Sequence, residues 1–185
     1  GIEACGDIAA LGGEQENWHV GDQVFAIVPG GAYAEYVKVK TEHLIKLPEN
    51  LDYVEGAAIA EAYLTAYQCL FSIADLQPNS QVLIHAGASG VGTAAIQLAK
   101  SLGCHVSVTV GNDDKAAMCK TLGADETINY QHTDFVAWSK QQKRSYDVIL
   151  DVVDEFDIEI DNEAMEKMLS VKAAMEVIET KLAEK

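Results

Sequence analysis

Basic residues are scarce in this chain. Thirteen Lys and Arg stand against 29 Asp and Glu in 185 residues, a formal net charge of −16. Nucleic-acid binding needs clustered Lys and Arg to neutralise phosphates; no such patch is present, which excludes that class of partner. The same acidity repels anionic membrane surfaces. Long apolar runs are missing too: none reaches the about 18 residues that a membrane-spanning helix needs. The N-terminus lacks the charged-then-apolar pattern of a secretory signal. It begins at Gly1 rather than Met, which reads as a processed or partial chain. The four cysteines, Cys5, Cys69, Cys104 and Cys119, are far apart with no CxxC pair. That argues against a zinc knuckle and for reduced thiols in a cytoplasmic protein. There is no internal repeat and no long Ser/Gly/Pro linker.

What is present is ample core material: 49% of the residues are apolar, as a soluble globular fold requires. Residues 1–50 read as β-rich. Val20–Val28 is a turn followed by an apolar strand, broken by Pro29-Gly30-Gly31, and Ala32–Val39 alternates like a second, half-buried strand. Residues 54–74 are Ala-rich and read as one or two helices. The rhythm then changes. Strands are predicted at 81–86, 105–110, 127–130 and 146–153. Helices are predicted between them at 93–102, 115–122 (stopped by Gly123) and 134–142, the last capped by Thr133 or Asp134. Strands alternating with helices, each strand a nearly continuous apolar run, signal a parallel sheet covered on both faces.

The most informative segment is His85-Ala86-Gly87-Ala88-Ser89-Gly90-Val91-Gly92-Thr93-Ala94-Ala95. Gly90, Gly92 and Ala95 fit G-x-G-x-x-G/A, placed after a strand and at the start of a helix, the context in which that pattern binds a dinucleotide. The first glycine is expected to permit the turn, the second to let the backbone approach a pyrophosphate, and the small third residue to pack helix on strand. The helix N-terminus supplies N–H groups and a positive dipole end. Cofactor choice is read about 20 residues on, where NAD-selecting folds place an acid on the ribose 2′-hydroxyl. Here the strand ends Val110-Gly111-Asn112. No acid sits at the tip, and Asn112 with Lys115 suits a 2′-phosphate, although Asp113 and Asp114 argue the other way; NADPH is favoured.

These motifs carry a family resemblance. Val82–Ala99, Ala58-Ile59-Ala60-Glu61-Ala62-Tyr63-Leu64-Thr65-Ala66-Tyr67, Gly21–Val24, Ala34-Glu35-Tyr36, Leu122–Asp125 and Ile128-Asn129-Tyr130 together resemble the zinc-free quinone oxidoreductases of the medium-chain dehydrogenase/reductase superfamily, over residues 1 to about 152. The resemblance implies an α/β chain: a partial GroES-like catalytic region (1–50), an incomplete Rossmann parallel sheet (51–153) and a short α-helical tail (154–185). It implies NADPH-dependent reduction of a small-molecule quinone or enone, and a homodimer. By position, Thr65 meets the nicotinamide, Gly90, Val91 and Gly92 meet the pyrophosphate, and Gly111, Asn112, Lys115 and Tyr130 surround the adenosine 2′-phosphate. Each also has an ordinary structural role open to it: a helix hydroxyl for Thr65, a solvated charge for Lys115, a packing aromatic for Tyr130. Zinc relatives carry Gly-His-Glu where this chain has Gly1-Ile2-Glu3; Ile2 cannot bind a metal, so no metal site is expected.

The chain also departs from that family. A stretch of β-rich domain that precedes the point matching Gly1 is missing, and with it the region expected to hold a general acid, so no catalytic residue is assigned. After residue 153 the match ends, and residues 154–185, with ten acidic and four basic residues, resemble the end of an acyl carrier protein. No Asp-Ser-Leu attachment site stands in register before it, so carrier activity is not expected. Three readings follow: an oxidoreductase, a non-catalytic NADP(H)-binding module, or an acidic interaction module.

Overall fold

The computed structural model describes residues 1–13 and 15–151. The carrier-like tail and the last two residues of the strand expected at 146–153 lie outside the described residues. Two compact units are present, Gly1–Thr65 and a second that begins at Ala66.

The first unit holds a three-stranded antiparallel sheet in the order β1–β2–β3, with β1 at Glu3–Asp7, β2 at Gln23–Ile27 and β3 at Ile45–Lys46. The turn into β2 is made by Gly21 at φ 92°, and Asp22 caps it by accepting from the His19 N–H at 2.7 Å. Only the middle of β2 is buried, and Phe25, Leu47 and Ala60 form a small core with Cys5, Leu51 and Ile59 packed on it. Helix α1, Tyr53–Tyr67, starts from a reciprocal cap: the Glu55 N–H donates to Asp52 at 2.8 Å and the Asp52 N–H donates to Glu55 at 3.0 Å. Its chain continues as a single π-helical stretch, Gln68–Ile73.

One sequence expectation fails in this unit. Residues 32–39 form no strand. Tyr33 and Tyr36 are 95% and 78% exposed. Alternation marks a sequence that suits a pleated, half-buried surface, but a strand exists only where a ladder satisfies its N–H and C=O groups. Among the described residues no strand lies alongside this one.

The second unit holds four strands, β4 (Gln81–Ile84), β5 (His105–Val110), β6 (Glu126–Asn129) and β7 (Val148–Leu150), all parallel, in the order β6–β5–β4–β7. Helices α2 (Gly90–Ser101), α3 (Asp113–Thr121) and α4 (Phe135–Gln141) make the crossovers. Val82, Leu83, Ile84, Val106, Val108 and Val110 are buried almost completely, as strands covered on both faces must be. The expected elements are present, with shifted ends. Helices α2 and α3 begin three and two residues before the positions expected from periodicity, because their caps, Ser89 and Asn112, stand ahead of the apolar stripe. Asp134 rather than Thr133 caps α4, accepting from Val136 and Ala137 at 2.8 and 3.3 Å. Gly123 adopts φ 109° directly after α3, as a C-terminal glycine does.

This order fixes where a ligand belongs. The chain steps from β4 to β5 to β6, then returns to the far side of β4 for β7. The reversal leaves a crevice at the carboxyl ends of β4 and β7, where open α/β sheets bind ligands.

Candidate cofactor site

At the carboxyl end of β4 the backbone turns sharply. The His85 N–H donates to the Leu150 carbonyl at 2.8 Å, tying the turn to β7. Ala86 then takes φ 53°, so the left-handed residue here is an alanine. The sequence pattern assigned the tight turn to Gly90, which instead opens α2 with helical backbone. The Ser89 N–H closes the turn onto the Ala86 carbonyl at 2.9 Å, and the Gly87 N–H donates to the Thr109 carbonyl at 3.0 Å, tying it to β5.

Two glycines are there for space. A Cβ on Gly87 would lie 2.6 Å from Val108 Cβ, and one on Gly92 would lie 2.3 Å from the Ala86 carbonyl oxygen. The first turn of α2 thus sits directly on the turn backbone, and Ala95 is fully buried beneath it. Ser89 Oγ accepts from the Gly92 N–H at 3.0 Å. Gly90 and Val91 come first in the helix, so their N–H groups have no intrahelical acceptor. No acidic residue stands in this first turn. Backbone donors and a positive helix end free of acids make a cradle that fits a pyrophosphate.

The adjacent strand supplies the second half. Gly111 follows β5, and a Cβ on it would lie 2.7 Å from Tyr130 Oη. Tyr130 follows β6, its N–H donating to the Val110 carbonyl at 3.1 Å. Asn112 caps α3, its Oδ1 accepting from the Lys115 N–H at 2.9 Å, which sets Lys115 in the first helical turn. Seven of the eight residues singled out from sequence (Gly90, Val91, Gly92, Gly111, Asn112, Lys115 and Tyr130) therefore stand at the carboxyl end of one parallel sheet. The eighth, Thr65, belongs to the first unit. Its hydroxyl donates to Glu61 Oε1 at 2.9 Å, and the Glu61 N–H donates to Glu3 Oε2 at 3.0 Å.

Sequence reasoning missed His85. This ring is buried at the start of the glycine turn, with Nδ1 2.9 Å from Thr109 Oγ1 and an edge-to-face contact with Phe135 at a centroid distance of 4.7 Å. Burial lowers its pKa to about 4, so at neutral pH it is an uncharged prop. Its signal in the sequence is a polar residue inside an apolar strand end. Asn129 was quoted only as part of a motif; its side chain donates to Asp113 Oδ1 at 2.7 Å. Among the described residues, no three His, Cys, Asp or Glu side chains come together as a metal site. Cys104 and Cys119 are buried and Cys5 and Cys69 partly so, with burial raising the last two thiols.

Comparison with known proteins agrees with the fold of the two units. Residues 1–49 match the alcohol dehydrogenase GroES-like domain, and residues 90–170 match the zinc-binding dehydrogenase family. Quinone oxidoreductase of Pongo abelii is 34% identical over 156 residues, 83% of this chain and 47% of that protein. Among solved structures, quinone oxidoreductase of Pseudomonas syringae pv. tomato is 36% identical with a TM-score of 0.72, over 77% of this chain and 44% of that one. CurK enoyl reductase is 30% identical with a TM-score of 0.74, over 80% of this chain and 45% of that one. The chain spans about half the length of the curated relatives it matches.

Proposed function

From the premise that this chain belongs to the medium-chain dehydrogenase/reductase superfamily, as a quinone oxidoreductase-like member with a GroES-like and a Rossmann region, we propose that it binds NADPH and reduces quinones or enones without zinc. The observation that carries this reading is the turn at Gly87–Gly92, where Gly87 and Gly92 have no room for a Cβ and the helix end is bare of acids.

Gly90, Val91 and Gly92 hold the pyrophosphate, and Gly111, Asn112, Lys115 and Tyr130 take the adenosine end with its 2′-phosphate. Lys115 supplies the positive charge there and the Asn112 cap sets its place on α3. Thr65 is assigned to the nicotinamide on the family resemblance alone. The bound nicotinamide supplies the hydride; the chain binds and orients it. His85, neutral at the start of the turn, holds the loop and takes no part in proton transfer. Zinc independence is supported by Ile2, an alkyl side chain where zinc relatives carry a histidine. A homodimer in the cytoplasm, acting on a small-molecule substrate, completes the proposal.

Calorimetric titration of the chain with NADPH and with NADH tests it. Micromolar NADPH binding, weaker NADH binding and loss of both in Gly92→Val are the expected results. The absence of any binding would remove the proposal. A second reading is a nucleotide-binding module without turnover, which the turn and helix end at Gly87–Gly92 suit equally. Tight NADPH binding without quinone- or enone-dependent loss of absorbance at 340 nm would select it.

A further inference from the structure

The tip of β5 poses an electrostatic problem. Two carboxylates, Asp113 and Asp114, open α3 directly beside Asn112. An acid at this end of the strand ordinarily takes the ribose 2′-hydroxyl and repels a 2′-phosphate. The structure shows a specific restraint on one of them. Asn129, the last residue of β6, has its side-chain oxygen occupied by the Gln131 N–H at 3.1 Å. Only its amide nitrogen remains to face Asp113, and it donates to Asp113 Oδ1 at 2.7 Å. With both ends of the amide engaged, its orientation is fixed and the bond to Asp113 is a directed one. The carboxylate is thereby drawn toward β6, while Asn112 and Lys115 are joined to each other through the α3 cap.

We propose that Asn129 is a specificity-determining residue: by anchoring the Asp113 carboxylate to β6, it keeps the Gly111–Asn112 tip open to a 2′-phosphate. The proposal rests on the NADPH-binding reading above. Released from Asn129, the Asp113 side chain regains its rotamers, among them those that reach the ribose. There it accepts a hydrogen bond from a 2′-hydroxyl and opposes a 2′-phosphate. Asn129 need not touch the cofactor for this; it acts as a positioning residue through Asp113.

Titration of the full chain with NADPH and NADH, in wild type, Asn129→Ala, Asp113→Asn and the double variant, tests it. The readout is the ratio of the two dissociation constants, which a general loss of stability does not move. Asn129→Ala is expected to reduce the preference for NADPH about tenfold, as a unit charge brought near the phosphate at partial screening would. The double variant is expected to restore the preference, and Asp113→Asn alone to change the ratio little. An unchanged ratio in Asn129→Ala would overturn the inference and leave the NADPH reading standing. So would equal weakening of both cofactors without rescue in the double variant. Should Asn129→Ala not fold, Asp113→Asn decides alone: a tenfold rise in NADPH preference in the otherwise native chain means Asp113 was never anchored away. A wild type that binds neither cofactor, or prefers NADH, removes the underlying reading and this inference with it.

Discussion

The two sheets of this chain differ in how far they are closed to solvent. In the first unit, β1 has no fully buried residue, β3 is exposed, and the core is a handful of side chains around Phe25, Leu47 and Ala60. In the second, every residue of β5 after His105 is buried, as is every residue of β4 after Gln81. The difference comes from connection. Helical crossovers lay a layer over a parallel sheet, whereas the links at 8–22 and 28–44 carry no α-helix among their described residues to lay over the antiparallel one. Covered strands become the stable frame; a site at their ends inherits that rigidity.

Matched substitutions break or sharpen this contrast. Leu83→Ala, in the middle of β4, is expected to cost about 4 kcal/mol, near the upper end for a rigid core, and Leu47→Ala about 2 kcal/mol, because its small, half-open cluster can close over the gap. Urea unfolding read by amide exchange in each sheet measures both; equal losses would mean the two cores are equally constrained.

Acid comes next in size and acts on one sheet only. His85 is neutral in the folded chain, its pKa lowered from the ordinary 6.5 to about 4 by burial. Below the unfolded value the unfolded chain takes up a proton that the folded chain refuses, so stability is complete above about pH 6.5 and is lost as pH falls toward 4. The loss amounts to about 3 kcal/mol. Amide protection in β4 and β5 should fall across that window, and His85→Leu should flatten the profile. A profile unchanged by that substitution would show that some other group titrates.

Smaller still is the cap on α4. Asp134→Ala removes the acceptor for the Val136 and Ala137 N–H groups and is expected to lower stability by about 1 kcal/mol, measurable as a shift in the urea midpoint. At the bottom of the scale, Tyr53→Phe deletes the exposed hydrogen bonds to Asp7 and Gln23 and is expected to leave the midpoint where it was. A clear drop there would show that the first unit depends on its surface polar groups more than its sparse core suggests.

The same contrast explains what the sequence could and could not reveal. Strands β4 and β5 were legible because burial on both faces favours apolar and β-branched residues, and the glycine turn because Gly87 and Gly92 have no room for a Cβ. Residues 32–39 were misread because alternation reports suitability for a sheet and is silent about a partner. The bond of His85 to Thr109 and that from Asn129 to Asp113 were illegible: each joins residues 16 to 24 positions apart, brought together by strand pairing that no local pattern encodes. The reciprocal cap of Asp52 and Glu55 was readable in principle, since an acid three residues after a capping acid is a local signal.

The pairing of β4 with β7 joins Gln81 to Asp147, 66 residues later. On a ribosome this is a matter of time. β4 can pair with β5 soon after α2 emerges, but its other edge stays bare until the chain has grown to about residue 150. For that interval a strand whose side chains are buried in the finished fold shows a line of unused N–H and C=O groups, the kind of edge that recruits neighbouring chains. The crevice of the candidate site is therefore the last part of the described sheet to close, and nascent-chain crowding or a slow stretch of translation between β6 and β7 bears on how much protein reaches the folded state.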